Sequence, residues 1–286
     1  MSDPLCSSVQ DDQAYYKGIY IGGKDDYGRL RRQHLLHKKV MDNKLIRAPL
    51  PTHCPINILD PGTGDGLWML DALDEYPKAT FLGTDINETH FKQIAHKLPP
   101  SISFKKQDLL AAWAEEDKNR YDLVHMRYCL SNFVVEKDAE VVRSLLELVK
   151  PAGYIELIEA DMLSFEGGED HPGFSEFMRY AAQAFPEVKM NSSAGPKLKT
   201  WIEDTGAEAV QEVVFSFKMG VAADTEDMRK ETTDNMASII ANFALFGSSR
   251  FRRPSLRMLL TIYQKCLITG TARKISRNSM MLSQRS

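Results

Sequence analysis

The sequence predicts an α/β fold: a central sheet with helices on both faces, and helical lid elements at the N-terminus, after strand five and at the C-terminus. Three observations carry this. An apolar run from Ile56 to Leu59 ends in Asp60 and passes through Gly62, Gly64 and Gly66 into Leu67 to Leu70. Such a strand, glycine-rich turn and helix open a Rossmann-like βαβ unit, where residues without a Cβ can take positive φ and let the backbone approach a ligand. A second apolar run, Ala79 to Ile86, ends in Asp85, nineteen positions beyond Gly66. A third block, LLELVKPAGYIELIEAD, passes from helix to strand through Lys150-Pro151, and proline ends a helix because it lacks an N–H and clashes with the preceding turn.

In chain order, residues 1–14 are polar and expected to be flexible, and 15–48 form an N-terminal helical cap. There Leu30, His34, His37 and Met41 recur at helical spacing. A linker from Pro49 to Pro55 leads to the core, residues 56–220. Helix A is expected from about Gly66 to Glu75, strand three from Ile102 to Lys106, strand four in YDLVHMRYCL, and helix D from about Asp138 to Val149. A polar loop and a helix bearing Phe174, Phe177, Met178, Ala181 and Phe185 fill 164–196, either lidding a pocket or completing the core. Helix E and strand six (Val210 to Lys218) close the core. Residues 221–270 read as a helical segment, with helices at 224–246 and 254–268. The basic tail 271–286 shows no apolar strand and is expected to be disordered.

Composition removes several classes. A length of 286 residues suits one large α/β domain or a domain with a lid. A net charge of −3 gives no global pull toward nucleic acid or an anionic membrane. Charge is uneven locally, with no acidic residue after Asp234 and basic residues from Arg250 to Arg285. A protein partner could use that region. Without interleaved aromatics it is a poor nucleic-acid surface. Cys6, Cys54, Cys129 and Cys266 are scattered, which suggests neither a disulfide framework nor a metal site. With no apolar leader and no run long enough to span a membrane, a cytoplasmic or nuclear location is expected.

The glycine spacing narrows the ligand. A dinucleotide turn reads G-x-G-x-x-G, whereas here the third glycine comes one residue early and Leu67 takes its place. The order is acidic-x-G-x-G-x-G. Together with Asp85 and the Lys150 to Glu159 segment, it resembles the class I S-adenosylmethionine (SAM)-dependent methyltransferases. Ala152 replaces the first glycine of that family's L-K-P-G-G pattern. The resemblance implies SAM as cofactor. It implies that Asp60, Gly62, Thr63, Gly64 and Gly66 wrap the amino-acid end, that Asp85 and Ile86 meet the ribose, and that Asp108 and Leu109 meet the adenine. A carboxylate suits a ribose diol because it accepts from both hydroxyls, although Asp85 alone could equally be a helix cap. Trp113 could wall the adenine or pack as a core residue. The pieces RLRRQH and VHMR resemble the fungal secondary-metabolism branch called LaeA-like or UMTA-like. In that branch the N-terminal segment helps close the cofactor site, which points to Tyr27, Arg29, Gln33 and His34, and Arg127 of the VHMR piece is a further cofactor-binding candidate. The family's seventh strand has no visible counterpart here.

No nucleophile dyad, metal cluster or phosphate-binding G-K-[ST] is present. Methyl transfer from a sulfonium needs none of these, because the leaving group carries its own positive charge. An oxygen nucleophile also needs a base near its proton. His125, His34 and Glu159 are the catalytic candidates by position, and each fits a structural role equally. The resulting expectation is a SAM-dependent methyltransferase acting at O or N of a small molecule. The alternative is a LaeA-like regulatory protein that works through partner binding. A nicotinamide dehydrogenase is disfavoured by the early third glycine.

Overall fold

The computed structural model describes residues 26–92, 98–130, 137–162, 164, 175–179, 181–182, 191, 193–250 and 274–284. Five parallel strands form the centre: β1 (Asn57–Pro61), β2 (Thr80–Asp85), β3 (Ile102–Lys106), β4 (Tyr121–Arg127) and β5 (Val149–Asp161). With β6 (Glu208–Met219) and β7 (Lys274–Gln284) they make a seven-stranded sheet in the order β3-β2-β1-β4-β5-β7-β6. The helices are α1 (Asp26–Val40), α2 (Leu67–Glu75), α3 (Thr89–Lys92), α4 (Asp138–Leu146), α5 (Leu198–Glu203) and α6 (Glu226–Arg250).

The pleat sends successive side chains to opposite faces, and where both faces are covered, as in the centres of β1, β4 and β5, consecutive residues are buried. Ile58, Phe81 and Leu123 pack with Trp68, Met69 and Ala72 of α2 on one side. Leu59, Val124, Ile155 and Leu157 pack with α4 and α5 through Val142, Leu145, Leu198 and Ile202 on the other. Phe177 is fully buried in a short helical stretch at 175–179, and Met178 and Ala181 are buried beside it. Phe174 and Phe185 lie outside the described residues, as does the helix expected at 254–268.

Helix α1 buries His34 and His37, Met41 just past its end is buried too, and Leu30 is half-buried. Polar contacts tie α1 to α6. Lys39 Nζ donates to Asp227 and Glu231 at 2.5 and 2.7 Å, and Arg32 Nη2 donates to Ser238 Oγ at 2.7 Å. Among the described residues no helix is long and apolar enough to cross a membrane.

Two expectations need correction. The tail expected to be disordered contains β7, which runs antiparallel between β5 and β6. It pairs Met280 with Ile158 on one side and with Val213 on the other. The sequence signal is weak because a strand flanked on both edges satisfies its backbone groups by ladder bonds alone, whatever its side chains. The adjoining β6 alternates exposed and half-buried positions, so this end of the sheet places little demand on apolar residues. The second correction concerns Pro151. Helix α4 already ends at Leu146, and Lys150 to Gly153 lie within β5.

Ala152 has φ 63°, a left-handed conformation costing an L-residue about 1–2 kcal/mol. That conformation explains the glycine of the resembled pattern at this position. A Cβ on the next residue, Gly153, would meet Val149 Cγ1 at 2.9 Å and two backbone oxygens at 3.0 Å, so only the first glycine is replaceable. Ala152→Gly is expected to raise stability by about 1 kcal/mol, the relieved strain exceeding the added chain entropy. Chemical denaturation of the two proteins checks this.

Candidate cofactor and acceptor site

The site is built where β1 and β4 end. After β1 the chain runs outward to β2 and β3, and after β4 it runs the other way to β5. Loops leaving neighbouring strands in opposite directions open a crevice at the carboxyl ends, where open α/β sheets bind ligands.

The glycine loop lies on one lip. Gly62, Gly64 and Gly66 have φ of 69°, 59° and 73°. Thr63 N donates to Thr84 O at 2.9 Å, which lays the loop over the end of β2. There Asp85 Oδ2 accepts from Gly64 N at 3.0 Å and Oδ1 from Asn87 N at 2.9 Å. The carboxylate and the loop, separate signals in the sequence, are therefore one hydrogen-bonded unit. Helix α3 is capped instead by Asn87, whose Oδ1 accepts from Thr89 N at 3.0 Å. Asp85, Ile86, Asp108 and Leu109 are all partly exposed, with Asp108 Oδ1 accepting from Leu110 N at 2.9 Å. Trp113 packs into the core cluster below. A Cβ on Gly62 would meet Cys129 Sγ at 2.2 Å, and one on Gly64 would meet Leu30 Cδ1 of α1 at 3.2 Å. Acceptor carboxylates at two strand ends suit a ligand with a ribose diol and an amino group.

The other lip is a buried polar network. His125 is 0% exposed and stacks on Trp68 at 3.6 Å, with Nδ1 3.0 Å from Asp60 Oδ1. Burial, with the Arg127 charge, holds His125 well below the ordinary histidine range. Arg127 Nη2 donates to His34 Nδ1 at 3.2 Å, which leaves the His34 proton on Nε2 to be donated to Asp71 Oδ2 at 3.0 Å. Lys38 Nζ reaches the same oxygen at 2.6 Å. Burial, then Arg127, pushes His34 down to about 4, so it is neutral. Glu159 is 1% exposed, and its Oε1 accepts from the amides of Cys129 and Leu130, each at 2.7 Å. The three catalytic candidates are thus committed to internal hydrogen bonds. For His125 this uses one ring nitrogen only, since Nδ1 faces Asp60 while the buried Nε2 has no hydrogen-bond partner among the described residues. Arg29 donates within α1 to Gln33 at 3.3 Å. Tyr27 lies in the first turn of α1, and its side chain is outside the described residues.

Sequence reasoning missed several participants. Asp71 anchors both His34 and Lys38. Tyr128 follows β4 with φ 55° and bonds through its hydroxyl to His37 Nδ1 at 2.9 Å. Glu156 Oε2 accepts from the amides of Arg47 and Ala48 at 3.0 and 3.3 Å. None of these pairings leaves a local signal, since the partners are far apart in the chain. Among the described residues no His, Cys, Asp or Glu group could hold a metal ion.

A family model described as a methyltransferase domain matches residues 58–153. The N-methyltransferase tcpN of Claviceps purpurea is 33% identical over 209 residues, covering 72% of this chain and 74% of that protein. The chain belongs to the class I SAM-dependent methyltransferases. The N-methyltransferase sirN of Leptosphaeria maculans is also 33% identical, over 83% of this chain and 84% of its own length. Among solved structures, phosphoethanolamine N-methyltransferase 2 of Haemonchus contortus, in complex with SAM, gives a TM-score of 0.51 at 14% identity. That match covers 89% of this chain and 52% of that one. The [4+2]-cyclase SpnF gives 0.51 at 12% identity, over 88% of this chain and 80% of that one. A cyclase among these neighbours shows that likeness at this level concerns the fold alone. As a member of the family, this methyltransferase uses SAM as its cofactor.

Two outcomes follow from the geometry. Burial lifts Asp60 and Glu156 to about 7 and Glu159 to about 8, from ordinary values of 3.8 and 4.5. The folded chain therefore keeps protons that the unfolded chain has released, and this contribution to stability is lost as pH rises toward 8. Neutral His34, His37 and His125 act oppositely, costing stability as pH falls below 6.5. The two sets oppose each other between about pH 4 and 6.5, and above that only the carboxyls titrate. Melting temperature is expected to decline from pH 6.5 to 8.5, read by calorimetry across that range. Separately, Gly62→Ala places a Cβ into Cys129 Sγ at positive φ. It is expected to weaken SAM binding tenfold or more in a titration of the folded variant.

Proposed function

We propose that this enzyme N-methylates a small-molecule amine and belongs to the fungal LaeA-like/UMTA-like branch. The carrying observation is the identity of 30–33% to three fungal N-methyltransferases, each matched over about three quarters or more of its length. The RLRRQH and VHMR pieces support the branch. In the structure their residues meet, since Arg127 of the second bonds to His34 of the first.

SAM, when bound, supplies a methyl group on a sulfonium that leaves as a neutral thioether. The chain's own work is to bind and orient. In this reading Asp85 accepts from the ribose hydroxyls and Asp108 from the adenine amino group. The loop from Asp60 to Gly66 receives the amino-acid end, with Arg127 beside it. Helix α1, docked through His34 on Asp71 and Arg127, lies over the loop through Leu30 and excludes water. Orienting reactants in line can contribute roughly 7–11 kcal/mol. An amine that arrives as the free base needs no proton acceptor, which agrees with the inward commitment of His125, His34 and Glu159. The glycine loop bonded to Asp85 favours this enzyme over a regulatory protein that has kept only the fold.

The test is calorimetric titration with SAM, followed by a panel of small amines assayed for methylated product by mass spectrometry. Wild type is expected to bind in the micromolar range. Asp85→Ala should bind at least tenfold more weakly, about 1.4 kcal/mol. A folded wild-type protein that leaves SAM unbound would sink the proposal.

A further inference from the structure

Tyr128 stands in a conformation that its own side chain disfavours. At φ 55° an L-residue is strained by about 1–2 kcal/mol, so the turn after β4 is held from outside. Three holds are present. Tyr128 N donates to Ile158 O at 2.9 Å. The Tyr128 hydroxyl meets His37 Nδ1. The next two amides, Cys129 and Leu130, converge on the single oxygen Oε1 of Glu159 at 2.7 Å each. Two of these holds come from β5 and one from α1.

The held turn delivers Cys129 to the glycine loop. Its Sγ lies 3.3 Å from Arg127 O and 4.0 Å from Pro61 O, and it fills the space that a Gly62 Cβ would need. The turn after β4 and the loop after β1 are therefore in contact at the crevice, and Glu159 fixes one of them.

We infer that Glu159 is a positioning residue of the cofactor site. It acts through the Cys129 and Leu130 amides, holding the turn after β4 against Gly62 and so setting the glycine loop that receives SAM. It touches neither cofactor nor acceptor. The inference rests on the cofactor reading above. Accepting two amides requires only Oε1, which glutamine retains. A proton acceptor requires an ionisable oxygen, which glutamine lacks. A purely structural residue would alter the melting temperature and leave SAM affinity alone.

The experiment is SAM titration of Glu159→Gln, Glu159→Asp and Glu159→Ala, with amide hydrogen exchange at Cys129 and Leu130. Glutamine is expected to bind SAM within about threefold of wild type and to keep both amides protected. Aspartate, one methylene too short to reach them, should lose that protection and bind tenfold or more weakly while still folded. Alanine should be at least as weak, and if it does not fold, the aspartate variant and the exchange data carry the test. Aspartate binding within threefold of wild type, or glutamine as weak as aspartate, overturns the inference. Failure of wild type to bind SAM defeats the functional proposal as well. An unaffected aspartate variant in a SAM-binding protein defeats this inference alone.

Discussion

The close approach of Gly62 to Cys129 governs the carboxyl edge of the sheet. Strands β1 and β4 are neighbours, with Ile58 beside Leu123 and Leu59 beside Val124. Their loops must part there to reach β2 and β5. A side chain at Gly62 would push the two loops apart, since its Cβ would lie 2.2 Å from Cys129 Sγ. With glycine in place, the loop can fold over β2, where Asp85 bonds to Gly64 N. The Cβ missing at Gly64 leaves room for Leu30 of α1. Four segments, from α1 to the turn after β4, are set by two missing methyl groups.

Beneath that contact lies a second constraint, the pairing of buried polar groups. Glu156 and Glu159 are both fully internal, and each uses one oxygen for two backbone amides from a distant irregular segment, 47–48 or 129–130. Loop amides removed from water must find acceptors. A glutamate on a rigid central strand supplies one without needing a regular ladder. The histidines follow the same logic. Burial keeps His34 and His125 neutral, and a neutral imidazole can both accept and donate, so His34 links Arg127 to Asp71. These groups join a rigid sheet to the segments that cover it.

The division between what was legible and what was not follows from range. The sequence by itself determined the βαβ opening, because the apolar strand, the glycines and the helix behind them are consecutive. It determined the strand-end acids Asp85 and Asp108, because strand length and loop spacing place them. It determined the buried face of α1, because periodicity is local. Only the tertiary structure decided the place of β7, whose polar residues are held by ladders to two strands far away in the chain. Only it decided that Ala152 and Tyr128 take left-handed backbone, since neither residue type asks for it. Only it brought His125 against Asp60 and Glu159 against the turn after β4. A side chain's chemistry can be read from its letter, but whether it faces water, a ligand or a buried amide depends on the segments packed against it.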